Sequence, residues 1–223
     1  MQTEPAVRTI PAMNAKVAGI STAIAVAVSF AGACAPAATQ TSGPSNADLA
    51  AAALADSVRN SYTQADIDFM AGMIQHHAQA LVMARMAPTH GASGPLGIMA
   101  ARIINAQNDE IALMERWLDD RGEPVPDAGM DMGMMMPGML TGAQLEALDA
   151  ARGTEFDRLF LTYMIQHHQG AVTMVSELFG TDGAAQEQTV FKLASDIEAD
   201  QASEITRMQS MLRDILFEPD ESP

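Results

Sequence analysis

The pentapeptide Met-Ile-Gln-His-His occupies residues 73–77 and returns at residues 164–168. Four of the chain's five histidines, His76, His77, His167 and His168, lie in these two copies. Imidazole and thioether together are donors suited to copper, with methionine favouring Cu(I). Met73 precedes His76 by three residues and His77 by four, and Met164 stands likewise to His167 and His168. On a helix those spacings bring side chains together, so each copy can offer sulfur and nitrogen to one ion.

A plainer role exists for the same residues. Methionine fills irregular gaps in cores, and an inward histidine is more often a hydrogen-bonded core residue than a ligand. Here that would mean a polar lock inside a bundle, His77 on Glu110 and His168 on Glu204. A second adjacent histidine in each copy is hard to justify by packing, which favours the ligand reading. A carboxylate-bridged di-iron centre would need Glu-x-x-His on two helices, and Met73, Ile74, Met164 and Ile165 stand where those glutamates would be. Glu110 and Glu204 fit better as hydrogen-bond partners that fix the imidazole tautomers. Asp66, Asp157, Gln107 and Gln201 are further candidates for that supporting role.

The elements that must carry these residues are helices. Ala, Met, Leu, Glu and Gln dominate, and β-branched or aromatic runs are few. Thr63 with Asp66 forms a capping signature, opening a helix over about 64–87 before Pro88. Pro95 suits the first turn of a second helix, about 95–121, which stops at Gly122. Thr141 with Gln144 opens a short helix near 142–152. Thr154 is expected to cap a third long helix, about 155–179, and a fourth spans about 184–217. Residues 122–140 form a Gly- and Pro-broken link holding Met130, Met132, Met134, Met135, Met136 and Met139. Six thioethers without helical period are either an apolar flap or a Cu(I)- or Ag(I)-capturing loop.

The chain repeats itself. Residues 66–83 align with 157–174 at an offset of 91, matching Asp66, Phe69, Met73, His76, His77, Ala80 and Met83 to Asp157, Phe160, Met164, His167, His168, Ala171 and Met174. Residues 107–114 align with 201–208 at an offset of 94, matching Gln107, Glu110, Ile111 and Met114 to Gln201, Glu204, Ile205 and Met208. At about 100° per residue, Asp66, Met70, Met73 and His77 share one stripe, while His76 lies a quarter-turn away with Phe69, Ala80 and Met83. Two helical hairpins related by approximate two-fold symmetry and joined by a long crossover make an all-α four-helix bundle over 63–217.

Composition bounds the partners. The formal charge of −16 argues against nucleic acid, which needs a basic surface. Residues 1–33 follow export-signal grammar, with Arg8 and Lys16 ahead of an uncharged apolar run. Cys34, the only cysteine, follows Ala-Gly-Ala as in a lipobox, so lipidation there and anchoring to an extracytoplasmic membrane face are expected. Residues 34–62 are expected to be a flexible tether, and 218–223 a short tail.

The paired MIQHH segments, with QNDEIALMERWL and the Met-rich MMMPGML between them, resemble the bacterial domain-of-unknown-function 305 family over about residues 62–216. The resemblance implies a ferritin-like four-helix bundle, exported or membrane-anchored, some members being periplasmic copper binders that use Met and His ligands. On that reading the metal ligands come from His76, His77, His167, His168, Met73, Met164, Met70, Met83 and Met174. One departure is Leu161 where the first copy has Met70, which leaves more sulfur in the first half. The expected function is buffering or carrying copper, or another transition metal, with a copper exporter or chaperone as partner; a homodimer is compatible with such a bundle. The alternatives are a metal-free interaction module with an adaptable Met surface, and a metal-dependent redox enzyme. No base, nucleophile or cofactor loop supports the last.

Overall fold

Thr63 opens its helix by the expected chemistry: its side chain accepts from the Asp66 N–H while the Asp66 carboxylate accepts from the Thr63 N–H at 2.7 Å. The computed structural model describes residues 44–59, 61–127 and 136–217. Six α-helices occur there, α1 (Asn46–Arg59), α2 (Gln64–Met86), α3 (Gly94–Asp119), α4 (Gly142–Ala150), α5 (Gly153–Phe179) and α6 (Gln188–Phe217), and no strand is found among the described residues. The export segment, Cys34, Met130, Met132, Met134 and Met135 lie outside the described residues.

The bundle is all-α. Helix α2 packs on α3 and α5 on α6, and the hairpins meet through α2 and α5. The two copies of the repeat therefore form the inner pair of helices. Asp66, at the start of α2, accepts from the Ala185 N–H at 2.7 Å, in the loop between α5 and α6. Asp157, at the start of α5, accepts from the Ser93 N–H at 3.1 Å, in the loop between α2 and α3. Each hairpin's first helix thus grips the other hairpin's turn.

Two apolar cores result. One gathers Phe69, Met70, Met73 and Ile74 with Ile111, Met114, Trp117, Val175 and Leu178. The other gathers Ala80, Met83 and Ala84 with Met99, Phe156, Phe160, Leu161, Met164 and Met208. Each large side chain so buried stabilises the fold by about 1.5–3 kcal/mol. Along α2 the histidines at 76 and 77 fall between the residues given to the two cores, and along α5 so do those at 167 and 168.

Several boundaries differ from expectation. Helix α1 lies inside the segment expected to be a tether, with Leu49 and Leu54 exposed. Ser45 and Asp48 form a capping box there, at 2.9 Å and 3.2 Å, and the Ala-rich run continues it. Helix α5 starts at Gly153 behind Arg152, so Thr154 is not its cap. The Gly153 N–H binds the His90 carbonyl, and its φ of +58° turns the chain straight into the helix. Helix α6 starts at Gln188, not 184, because Ala185 has a φ of +53° and the Glu187 carboxylate accepts from the Val190 N–H at 3.0 Å, capping the helix there. Helix α3 stops at Asp119, with Gly122 at a φ of +70° closing its end.

Candidate metal centre

The four histidines of the repeat meet in one buried layer. His76 from α2 and His167 from α5 stack across the hairpin interface, ring centroids 3.8 Å apart and planes tilted by 37°. His77 and His168 lie 6.4 and 6.3 Å from their chain neighbours' rings. All four are buried.

Three of these rings have their outer nitrogen committed. His77 Nε2 lies 2.7 Å from Glu110 Oε2, and His168 Nε2 lies 2.7 Å from Glu204 Oε2. His76 Nε2 lies 3.0 Å from the Pro137 carbonyl. A carboxylate and a carbonyl only accept, so each Nε2 carries the proton and donates it. In the neutral ring the Nδ1 lone pair is then bare. Among the described residues Nδ1 of His76, His77, His167 and His168 meets no hydrogen-bond partner of good geometry, nor does Nε2 of His167, whose ring faces the His76 backbone carbonyl. Burial pushes the His76 imidazole down to about 3, helped by His77 and His168 and opposed by the Pro137 carbonyl. Burial, then His76, His168 and His77, push His167 well below the ordinary imidazole value, so both rings are neutral at pH 7. Neutral imidazoles with one nitrogen fixed by an acceptor and the other bare are prepared as metal donors.

Thioethers stand on both sides of the layer. Met73 lies in one apolar core and Met164 in the other, each fully buried one helical turn from its histidines. Met70 and Met83 are fully buried as well, and Leu161 is buried where Met70 has its counterpart. Met174 lies beside Met136: a Cβ built on Gly72 would be 3.5 Å from both Met136 Sδ and Met174 Cε. Met139 is half-buried at the end of the link. Among the described residues no three His, Cys, Asp or Glu side chains form a ready cage, so ligation here depends on sulfur or on small shifts of the rings.

Of the residues expected to support the imidazoles, Glu110 and Glu204 do so. Asp66 and Asp157 do not: both are spent on loop amides, an assignment that helical phase alone could not make. Gln107 and Gln201 turn instead toward a cavity of about 280 Å³ between α3 and α6, also lined by Glu110, Asp200 and Glu204. Three elements of the site are not visible in the helical pattern. One is the Pro137 carbonyl on His76. Another is Gln79, which binds the Leu140 N–H and carbonyl at 2.8 and 3.0 Å and ties down the end of the link. The third is Gly170, whose missing Cβ makes room for the link: a Cβ there would sit 2.0 Å from the Pro137 carbonyl oxygen. The Pro-Gly in the link and the glycine two residues after the second His-His were the available signals.

The signature of the Domain of unknown function (DUF305) family matches residues 66–212. The chain belongs to the DUF305 family. A DUF305 fragment from Deinococcus radiodurans is 30% identical with a TM-score of 0.61, covering 68% of this chain and 97% of that one. A DUF305 protein from Streptomyces coelicolor, described as a candidate secreted protein, is 27% identical with a TM-score of 0.60, covering 68% of this chain and 92% of that one. CopM in its Cu(II)-bound form is 35% identical with a TM-score of 0.56, covering 67% of this chain and 96% of that one. CopM is also known in Cu(I)- and silver-bound forms. A comparison with curated proteins found no match. The family match over residues 66–212 includes both MIQHH segments of this DUF305 chain.

Proposed function

We propose that this DUF305 protein is an exported soft-metal binder that buffers or carries copper through the histidine layer and its flanking methionines. The observation that carries the reading is the set of buried Nδ1 lone pairs, unpartnered while Nε2 of three of the four rings is bound to an acceptor. An unpaired buried polar atom costs about 1–3 kcal/mol, and a bound ion would recover that cost. His76, His77, His167 and His168 would supply nitrogen, and Met73 and Met164 sulfur. Met70, Met83, Met174 and the link methionines would be further thioether donors. That CopM binds copper and silver supports a soft metal as the ligand of this chain. Export is supported by residues 1–33 and by the Streptomyces relative. Lipidation at Cys34 and hand-over to a copper exporter or chaperone belong to the same proposal.

A second reading has its own observation: the His77–Glu110 and His168–Glu204 bonds form the polar lock of a metal-free bundle. Titration with Ag(I), and with Cu(I) under reducing conditions, separates the two. The expected result is tight binding and a raised Tm, since a ligand of the native state stabilises it. Replacing Met73 and Met164 together by Leu, which nearly conserves volume, should weaken binding by at least about tenfold, roughly 1.4 kcal/mol. The double His77→Ala, His168→Ala variant should weaken it further. Unchanged Tm with excess metal, or unchanged affinity in both variants, would leave the polar lock standing alone.

A further inference from the structure

The cavity between α3 and α6 holds polar groups that the fold itself does not use. Gln107 is 2% exposed and Gln201 is 3% exposed, and both line the cavity. Among the described residues neither Gln107 Oε1 nor Nε2 has a hydrogen-bond partner, and Gln201 Oε1 has none. Buried carboxamides left so are uncommon, because desolvating them without a partner is costly. They are symmetry mates in the repeat, so the two hairpins bring one each to the same space. Around them stand Glu110, Asp200 and Glu204. The Asp200 carboxyl, largely exposed, is pushed up by partial burial and then by Glu110, Glu204 and Asp196. Arg102 and Arg207 also line the cavity, Arg207 one turn from Glu204 along α6, so three acids stand there against two arginines.

The cavity shares two wall residues with the histidine layer. Glu110 and Glu204 line it and are also the residues bonded to His77 and His168. The link covers another side of the layer with backbone: the Pro137 carbonyl is on His76, and Gly138 presses on Gln166 and Gly170 so closely that a Cβ on Gly138 would lie 2.6 Å from the Gln166 carbonyl oxygen.

We propose that the α3–α6 cavity is a receiving site for the arriving cation, where the oxygens of Gln107, Gln201 and Asp200 hold it, still partly hydrated, before it passes Glu110 or Glu204 to the imidazoles. This inference rests on the metal-binding reading above. No three carboxylates close on a bare ion there, so the ion keeps water between itself and part of the wall. Negative groups in a narrow cleft raise the local cation concentration and the association rate more than the final affinity.

Asp200 is exposed and its side chain makes no hydrogen bond or ion pair that the fold depends on, so Asp200→Lys should fold. The control is Asp68→Lys, which changes net charge equally but lines a different cavity, with Phe69, Met174 and Glu177 between α2 and α5. The protein and both variants are mixed rapidly with Ag(I), and equilibrium affinity is measured in parallel. For Asp200→Lys the association rate should fall by about tenfold or more, with affinity within about threefold, and its dependence on salt should weaken. Asp68→Lys should keep the original rate. An unchanged rate in Asp200→Lys, or an equal slowing in Asp68→Lys, would overturn the receiving site while leaving metal binding intact. Failure of the unaltered protein to take up Ag(I) would overturn metal binding itself, and the receiving site with it.

Discussion

His77 and His168 show how much a single bond settles. Each imidazole has its proton drawn to Nε2 by a carboxylate at 2.7 Å, and each Nδ1 is left bare in the interior. Removing the carboxylate removes the reason for that tautomer. In Glu110→Ala the buried Nε2–H of His77 loses its partner, which should cost about 1–3 kcal/mol of stability, measured by denaturant unfolding of the metal-free protein. Metal affinity should fall as well, by about tenfold or more, as it does when groups that orient metal-bound histidines are removed. A stability loss without any change in affinity would mean that Glu110 is part of a lock and nothing more. The pairing of Glu110 with His77 and Glu204 with His168 was legible in the sequence, because each is fixed by helical phase and by the repeat. The destinations of Asp66 and Asp157 were not. Their stripe on the helix was right, but Asp66 lies in the first turn of α2 and Asp157 just beyond the first turn of α5, where a crossing loop amide from the other hairpin reaches them first.

Helix α5 carries the element-scale lesson. Gly170 sits well inside a 27-residue helix, where alanine would ordinarily be better by about 1 kcal/mol. Here the Pro137 carbonyl oxygen occupies the space a methyl would need, at 2.0 Å. Gly170→Ala should therefore destabilise the protein by about 2 kcal/mol or more, the overpacking cost exceeding the propensity gain. Because it lifts the link, it should also disturb the bond from His76 to Pro137. Histidine NMR shifts would check this, and a stabilised variant with unchanged shifts would refute it. Helix periodicity and caps located α2 to α6 within a few residues, since those signals are local. The starts of α5 and α6 escaped because tertiary partners set them, the His90 carbonyl at Gly153 and the left-handed Ala185 ahead of Glu187.

At the scale of the whole molecule, a neutral imidazole pair stacked in the interior couples stability to pH. The His76 value of about 3 lies below the ordinary 6.5 that the unfolded chain regains, and His167 is shifted in the same direction. Between those values the unfolded state binds more protons, so stability is fully present above about pH 6.5 and is lost as pH falls toward 3. For His76 alone the loss is on the order of 4 kcal/mol. The Tm of the metal-free protein should drop by roughly 10 °C between pH 7 and pH 4; a flat profile would mean that the rings are hydrated or shifted far less. The amino-acid sequence by itself determined the all-α class, the duplicated hairpin, the inward histidines and their glutamate partners, because periodicity, capping and internal repetition are written along one helix at a time. Only the tertiary structure decided that His76 stacks on His167, that the end of the link seals one side with the Pro137 carbonyl, and that Gln107 and Gln201 share a cavity with Asp200. Those relations bring together segments 61 to 94 positions apart, and their geometry depends on how the hairpins dock, which no local pattern encodes.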